Sequence, residues 1–254
     1  MTGPARTPAP DLRDRLVDAI LPHVPFDGWS EAAFRRAVAD AEATPARARA
    51  AMPRGAVDAA VHFHRRGDDA AIARVKAADT EGMRYRDRVA HAVRTRLEVA
   101  EPDREAVRRG MTLFALPMHA GDGLRAMWGT ADAIWEALGD RSDDVNWYTK
   151  RATLSGVYGA TVLYWLGDQS EGYRETWDFL DRRIDDVMRI EKAKAGVRRS
   201  PVLSRLLAGP SDLLARVRAP ARVPRGDLPG FWAPPPEAPS EAQPDPSPGD
   251  VSER

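Results

Sequence analysis

The chain has 254 residues, with 38 Lys or Arg against 38 Asp or Glu, so its formal net charge at pH 7 is zero. This balance argues against binding of nucleic acid through overall positive charge, and the lack of cysteine excludes disulfides, thiolate metal sites and cysteine nucleophiles. No apolar run approaches the roughly 20 residues of a membrane span and no signal-peptide core is evident, so we expect a cytoplasmic protein.

The N-terminal part predicts short helices. Residues 1–10 contain three prolines and are expected to be disordered, and a first helix follows over 11–21. Ser30 is a candidate cap for a second helix, and Thr44 with Pro45 is a strong start for a third. The pair of helices in 30–51 resembles a helix-turn-helix whose second helix, nearly all alanine, has few side chains for reading base edges. We therefore predict a degenerate helix-turn-helix region over 11–66.

Apolar spacings of three and four residues continue through most of the chain. They predict helices at about 55–66, 68–79, 83–100, 103–116, 118–138 and 171–195. No convincing period of two, the signature of a strand, is found. The predicted fold class is all-α, with a helical core over 67–196.

One long helix, predicted over 142–166 with Ser142 as its cap, organises this core. Most of its circumference is apolar, and its mainly polar arc is narrow, comprising Asn146, Lys150, Thr153 and Tyr164. Trp147 and Tyr148 are about 100° apart, so they cannot both point at the centre of one core. At least one of them is expected at the margin of the core, where a partner or ligand could reach it.

The C-terminal part differs in composition. Residues 189–218 contain eight Lys or Arg against two acids, with leucines at helical spacing, and Gly209-Pro210 interrupts the pattern. The segment 197–218 is predicted to be amphipathic. Its apolar face would either contact a membrane or dock on the body of the protein or on a second subunit. Ten prolines lie in residues 220–254, so 219–254 is predicted to be disordered.

Catalytic signals are weak. None of the five histidines has a carboxylate at the E-x-x-H spacing that builds a metal site on one helix face, and no nucleophile or phosphate-binding motif is present. We predict no catalytic residue, no metal and no cofactor. The many tryptophans and tyrosines of 118–188 have two interpretations, a packed core or the lining of a long apolar cavity.

Four segments resemble one known family. They are HVPFDGW at 23–29, AMPRGAVDAAVHFHRRGD at 51–68, GTADAIWEALGDRSDDVNWYTKRATLSGVY at 129–158 and TWDFLDRRIDDVM at 176–188. These segments resemble the bacterial form of the ubiquinone-biosynthesis accessory family Coq-nine. The resemblance implies a TetR-like all-α fold, usually dimeric, that has lost DNA binding and binds isoprenoid quinone intermediates or similar lipids. It also implies a partner, the di-iron demethoxyubiquinone hydroxylase.

Site residues follow from the resemblance and from the helix patterns. The partner-binding residues implied are Ile134, Asp144, Trp147 and Tyr148. The expected lipid-binding residues are Met127, Trp128, Leu154, Tyr158, Val162 and Trp165. The expected membrane-binding residues are Arg199, Leu203, Arg205, Leu206, Leu207, Leu213 and Leu214.

The resulting functional hypothesis is a non-catalytic protein that presents a polyprenylated quinone intermediate to the hydroxylase. It would act in the cytoplasm, peripherally associated with the inner membrane, as a homodimer and without nucleic acid. The main alternative is a TetR-like transcriptional regulator with an apolar pocket for a small molecule. An unrecognised enzyme is a further alternative.

Overall fold

The computed structural model of the protein describes residues 11–199, with side chains as far as Arg189. All regular structure in this range is helical, and no strand occurs in it. The predicted disordered segments 1–10 and 219–254, the part of the amphipathic segment from 200 to 218, and the predicted membrane-binding side chains lie outside the described residues.

Ten α-helices and two short 3-10 turns follow one another along the described chain. The α-helices are α1 Leu12–Ile20, α2 Val24–Asp27, α3 Glu31–Asp40, α4 Pro45–Ala51, α5 Ala56–Ala77, α6 Tyr85–Ala100, α7 Arg104–Phe114, α8 Ala120–Ala137, α9 Val145–Gly167 and α10 Arg174–Arg199. The 3-10 turns are Glu101–Asp103, before α7, and Glu171–Tyr173, before α10.

Helices α1 to α4 pack with the start of α5 around a first hydrophobic cluster. The hydroxyls of Ser30 and Thr44 accept hydrogen bonds from the backbone N–H groups of Ala33 and Arg47, so both predicted caps are confirmed. Helices α3 and α4 face α1 through buried side chains such as Phe34 and Ala48. The predicted helix-turn-helix pair is thus present and rests on a core of its own.

Helices α5 to α10 surround a second hydrophobic cluster that includes Val93, Leu97, Trp165 and Leu180. The long helix α9 is central to it, since it packs against both α8 and α10. Helix α5 contributes to both clusters, and it runs without a break through the predicted domain boundary at 66–67.

The two helices predicted at 55–66 and 68–79 form the single helix α5, so the predicted break was wrong. Gly67, which lies between the two predicted helices, continues the helix. A Cβ at this position would lie only 2.9 Å from the guanidinium carbon of Arg96 on α6. Glycine therefore serves here to let the buried Arg96 approach the backbone of α5, a close tertiary contact rather than a helix end.

The start of α9 also differs from the prediction. Asp144, not Ser142, is the N-cap, and its carboxylate accepts a hydrogen bond from the backbone N–H of Asn146 at 2.9 Å. Ser142 lies before the helix and donates its hydroxyl hydrogen to Asp140 at 2.8 Å. The cap and the first turn of α9 therefore lie two residues later than predicted, and Asp140 and Ser142 form a separate polar turn before the helix.

Candidate functional site

Four of the predicted lipid-binding residues line one small cavity between the two hydrophobic clusters. Met127, Tyr158, Val162 and Trp165 surround a space of about 30 Å³. That is the volume of a single water molecule in the liquid, and ligand pockets are roughly ten times larger or more. These four side chains are therefore packed as core residues, around a space too small for a lipid.

A buried polar network adjoins the small cavity and fixes its walls. The Arg96 guanidinium donates to Asp68 at 2.6 Å, and the Thr130 hydroxyl donates to the same carboxylate at 3.0 Å. His64 lies 2.8 Å from the Thr130 hydroxyl, and burial lowers the pKa of its imidazole to about 4. Because His64 is then neutral near pH 7, the network holds one buried ion pair and no excess charge.

A larger apolar groove lies on the other side of α9, and Leu154 is the one predicted lipid-binding residue that reaches it. Its volume is about 300 Å³, at the lower end of the range for small-molecule pockets. Helices α6, α8, α9 and α10 all supply walls. The groove is lined by Tyr85, Arg86, Val89, Trp135, Asn146, Thr149, Lys150, Thr153, Leu154, Val157, Ile184, Val187 and Met188.

The groove has a polar end and an apolar end. Asn146, Thr149, Lys150 and Thr153 line it along the first turns of α9, whereas Val157 and Ile184 line it farther along. These polar residues are spaced three and four apart, so they share one side of the helix. Three of them belong to the narrow polar arc that the sequence placed on a mostly apolar helix. That arc is the feature of the sequence that indicates the groove.

An aromatic wall closes the groove on the side of α8. Tyr85 stacks on Trp135 with ring centroids 5.9 Å apart, and the Trp135 indole donates to the carbonyl of Lys150 at 3.0 Å. The Lys150 ammonium lies 5.6 Å from the Trp135 ring centroid and donates to Asp140 at 2.7 Å. The groove thus offers flat ring faces and one cation at the same end.

The first turn of α9 carries an aromatic cluster, which comprises Trp128, Trp147 and Tyr148. Trp147 meets Tyr148 edge to face at a centroid distance of 4.8 Å, and Trp128 lies 5.9 Å from Trp147. Trp147 is only 9% exposed, while Tyr148 is half-buried and Asp144 is exposed. Of the two neighbouring aromatics, Tyr148 is therefore the one at the margin. Trp128 lines neither the small cavity nor the groove.

Ile134 does not belong to the surface formed by Asp144 and Tyr148. It is 1% exposed and packs in the second hydrophobic cluster, because α8 turns this side chain towards the core. We therefore remove Ile134 from the predicted partner-binding residues. Trp147 remains in the candidate surface as a support beneath Tyr148.

The buried side chain of Arg151 packs against the Trp147 ring of the aromatic cluster. Its guanidinium carbon lies 4.0 Å from the Trp147 ring centroid, and its side chain is 1% exposed. The guanidinium donates to Asp132 and, at 3.1 Å, to Asp140. A buried arginine needs such carboxylates, since an unpaired charge in the interior is costly. Two carboxylates outside α9 thereby fix the orientation of the Trp147 ring.

In α4, the second helix of the helix-turn-helix pair, one of the two arginines is engaged in contacts within the protein. Arg49 forms an ion pair with Glu31, donates to the carbonyl of Pro53 and lies over the Phe34 ring at 5.1 Å. Arg47 is the remaining arginine of α4, a helix of seven residues. Such a surface offers few groups to base edges.

Within 11–199 no helix is both long and apolar enough to cross a bilayer. Over the same part of the chain, no three acidic or histidine side chains come together as a potential metal site.

The chain is similar in sequence to proteins of one known family. Residues 120–191 match the model of the COQ9 family. The chain is 32% identical over 185 residues to the ubiquinone biosynthesis protein COQ9, mitochondrial, of Drosophila melanogaster, covering 71% of this chain and 56% of the fly protein. It is 40% identical over 97 residues to COQ9 of Rattus norvegicus, covering 38% of this chain and 31% of the rat protein. The chain therefore spans at most a little over half the length of these curated relatives.

The fold also has a counterpart among solved structures. A TetR transcriptional regulator from Nitrosomonas europaea superposes with a TM-score of 0.57, covering 69% of this chain and 97% of the regulator. Sequence identity is 19%, so the similarity concerns the fold alone. It confirms the predicted TetR-like all-α architecture.

Proposed function

The chain belongs to the COQ9 family, since it is 32% identical to the fly protein over 71% of its own length, and from this membership we propose that it is a non-catalytic accessory protein of ubiquinone biosynthesis. In this proposal it binds a polyprenylated quinone intermediate and presents it to the di-iron demethoxyubiquinone hydroxylase. The hydroxylase supplies the metals and the chemistry, and this chain supplies the binding surface.

The groove along α9 is the observation that carries the proposal. A polyprenyl tail cannot enter water at low cost, because each CH2 transferred from an apolar environment costs about 0.8 kcal/mol. The apolar end of the groove, at Val157 and Ile184, suits such a tail. The ring faces of Tyr85 and Trp135, with Lys150 beside them, suit a flat oxygen-bearing head group.

The proposed surface for the hydroxylase consists of Asp144 and Tyr148, supported by the rest of the aromatic cluster. This surface lies at the same turn of α9 as the polar end of the groove, because Asn146 lines the groove and Tyr148 follows it by two residues. A head group bound at that end would therefore be near the docked enzyme. Tyrosine and tryptophan often dominate the energy of such interfaces.

We further propose that the protein works as a homodimer at the membrane surface, peripherally associated with the inner membrane on its cytoplasmic side. The basic, leucine-rich segment 197–218 supports this location by its composition. Basic residues near an anionic bilayer contribute about 1 kcal/mol each.

A TetR-like regulator is the second candidate function, and the fold of the Nitrosomonas protein favours it. The contacts of Arg49 oppose it, because a guanidinium engaged by Glu31 and Phe34 is not available to a base. A gel-shift assay with DNA from upstream of the protein's own gene separates the two functions. Specific, salt-sensitive binding would support the regulator.

A pair of variants tests whether the groove is the quinone site. Thr153 is exposed at the rim of the groove, so Thr153→Trp places a ring over the opening without disturbing the core. Ala152 is also exposed but lines no described cavity, so Ala152→Trp is the matched control. We expect at least tenfold weaker binding of a ubiquinone with two isoprene units for Thr153→Trp only. Equal affinity of both variants and the wild type would exclude the groove.

A further inference from the structure

One buried carboxylate connects the groove with the aromatic cluster. The side chain of Asp140 is 3% exposed and lies between two consecutive residues of α9. One carboxylate oxygen accepts from Lys150 at 2.7 Å, and the other accepts from Arg151 at 3.1 Å. Because consecutive residues on a helix point about 100° apart, the two cations reach Asp140 from different sides.

The Lys150 contact belongs to the groove. Lys150 lines the groove, and its ammonium group lies beside the Trp135 ring. An ammonium has three N–H donors. Within the described part of the chain, Asp140 and the Ser142 hydroxyl, each 2.7 Å from the nitrogen, take two of them. A ligand with an oxygen acceptor at the polar end of the groove can take the third.

The Arg151 contact belongs to the aromatic cluster. The same guanidinium nitrogen that donates to Asp140 also donates to the carbonyl of Trp147 at 3.2 Å. Both distances are longer than the 2.7–2.9 Å usual for a charge-assisted bond. The Asp140–Arg151 contact therefore has room to shorten, and any movement of Arg151 is transmitted to the Trp147 ring that it covers.

We propose that Asp140 couples occupancy of the groove by a ligand with an oxygen acceptor on its head group to docking of the hydroxylase at Asp144 and Tyr148. This inference rests on the function proposed above. Asp140, Lys150 and Arg151 are positioning residues in it, since they act on the partner through the rings of Trp147 and Tyr148.

The contacts also give the sign of the coupling. A ligand oxygen that accepts the third N–H of Lys150 shares the charge of that ammonium with Asp140, so Lys150 holds the carboxylate less strongly and Arg151 can hold it more strongly. The Asp140–Arg151 contact then tightens and holds the Trp147 ring in one orientation, so that the docking surface is ordered before the partner arrives. The loaded protein therefore binds the hydroxylase more tightly than the empty one, and by linkage the hydroxylase tightens ligand binding equally.

Affinity for the hydroxylase is measured by titration with and without saturating ubiquinone carrying two isoprene units. We expect the ubiquinone to tighten docking of the wild type by about fivefold or more, the lower end of typical couplings. Lys150→Met and Asp140→Asn should bring the ratio close to one. Lys150→Arg, which keeps a cation at Asp140, should retain most of the coupling and serves as the conservative rescue.

A second measurement reports on the cluster without the hydroxylase. The full-length chain is labelled with 5-fluorotryptophan, and the Trp147 resonance is assigned from the spectrum of Trp147→Phe. We expect the ubiquinone to shift this resonance in the wild type and in Lys150→Arg but not in Lys150→Met, while thermal unfolding shows that each variant is folded.

The outcomes separate the two proposals. If the ubiquinone binds the wild type but changes neither the docking affinity nor the Trp147 resonance, the coupling is refuted and the proposed function stands. Failure of the ubiquinone to bind at all would overturn the proposed function, and the coupling with it.

Discussion

Asp140 is the residue whose chemistry depends most clearly on its surroundings. Burial alone would raise the pKa of its carboxyl group, but hydrogen bonds from Lys150, Ser142 and Arg151 outweigh burial and lower the pKa from 3.8 to about 2. The carboxylate is thus charged throughout the physiological range. Asp168, which accepts from the backbone and hydroxyl of Thr176, has a pKa lowered to about 2 in the same way, against the opposing effect of burial.

The low pKa of Asp140 predicts acid sensitivity. Because the folded-state pKa lies below the unfolded value, this group stabilises the fold above about pH 4, and the contribution of about 2 kcal/mol is lost as the pH falls towards 2. Urea unfolding at pH 5 and at pH 2.5 measures it. Asp140→Asn should be less stable at pH 5 and should show a smaller difference between the two pH values. An unchanged pH dependence would contradict the assignment.

Tyr148 carries the second prediction at the level of single residues. Tyr148→Ala should weaken docking of the hydroxylase about thirtyfold, the equivalent of about 2 kcal/mol for a central aromatic contact. The control is Tyr164→Ala, which removes the same side chain from the other end of α9, where it stacks on Phe179 at 4.6 Å. Equal affinities of the two variants, measured by calorimetry, would exclude Tyr148 from the interface. Trp147→Ala is a poorer test, because that ring is buried.

The ends of single helices could be predicted from the sequence where only neighbouring residues decide them. The caps at Ser30 and Thr44 were correct because a cap depends on residues within one turn. The break at Gly67 was wrong because a tertiary contact decides it, and the cap at Ser142 was wrong because a local hydrogen bond to Asp140 competes with capping. Arg96, 29 positions after Gly67, requires the glycine, and Asp140 draws Ser142 away from the helix start.

A pair of glycines tests this explanation of α5. Gly67→Ala places a methyl group against the buried Arg96 guanidinium and should destabilise the protein by about 1–3 kcal/mol, the usual cost of overpacking. Gly129→Ala, inside α8, has no atom within 4 Å of the new methyl group and should stabilise by about 0.5–1 kcal/mol. Denaturant unfolding of both variants provides the comparison. Stabilisation of both would show that Arg96 moves aside at little cost.

The groove could not be predicted in the same way, because four helices build it. Its walls come from residues as far apart as Tyr85 and Met188, and no local pattern states which helices become neighbours. Predicting the lipid-binding residues from the apolar side of α9 led to the small cavity at Tyr158 and Trp165. The polar arc with Lys150 marks the side of α9 on which the groove lies.

The described part of the molecule has two hydrophobic clusters joined by α5, and polar side-chain contacts between helices add to this packing. Asp14 and Asp18 on α1 meet His62 and Arg66 on α5, and Arg54 reaches Asp122 on α8. Helix α9 is clamped at its C-terminal end, where Arg104 donates to the carbonyl of Asp168 at 2.7 Å. The structure thus anchors both ends of the helix that carries the proposed groove and docking surface.

Association with the membrane is a prediction for the whole molecule. Removing residues 200–218 should reduce binding to vesicles that contain anionic phospholipid, and the loss should be largest at low salt, because screening weakens the contribution of the basic residues. Co-sedimentation of the full chain and of the internal deletion measures the difference. Unchanged binding would indicate that another surface contacts the bilayer.

Lys150 and Arg151, two consecutive residues of α9, both bind Asp140, and this limits where insertions and deletions can be tolerated. One residue inserted within α9 between Val145 and Lys150 would rotate the rest of the helix by about 100° relative to its first residues, so that Lys150, Arg151 and the groove residues would no longer match their partners. Insertions and deletions among homologues should therefore avoid this stretch. They should instead accumulate in the 78–84 connection, an irregular, mostly exposed stretch between α5 and α6.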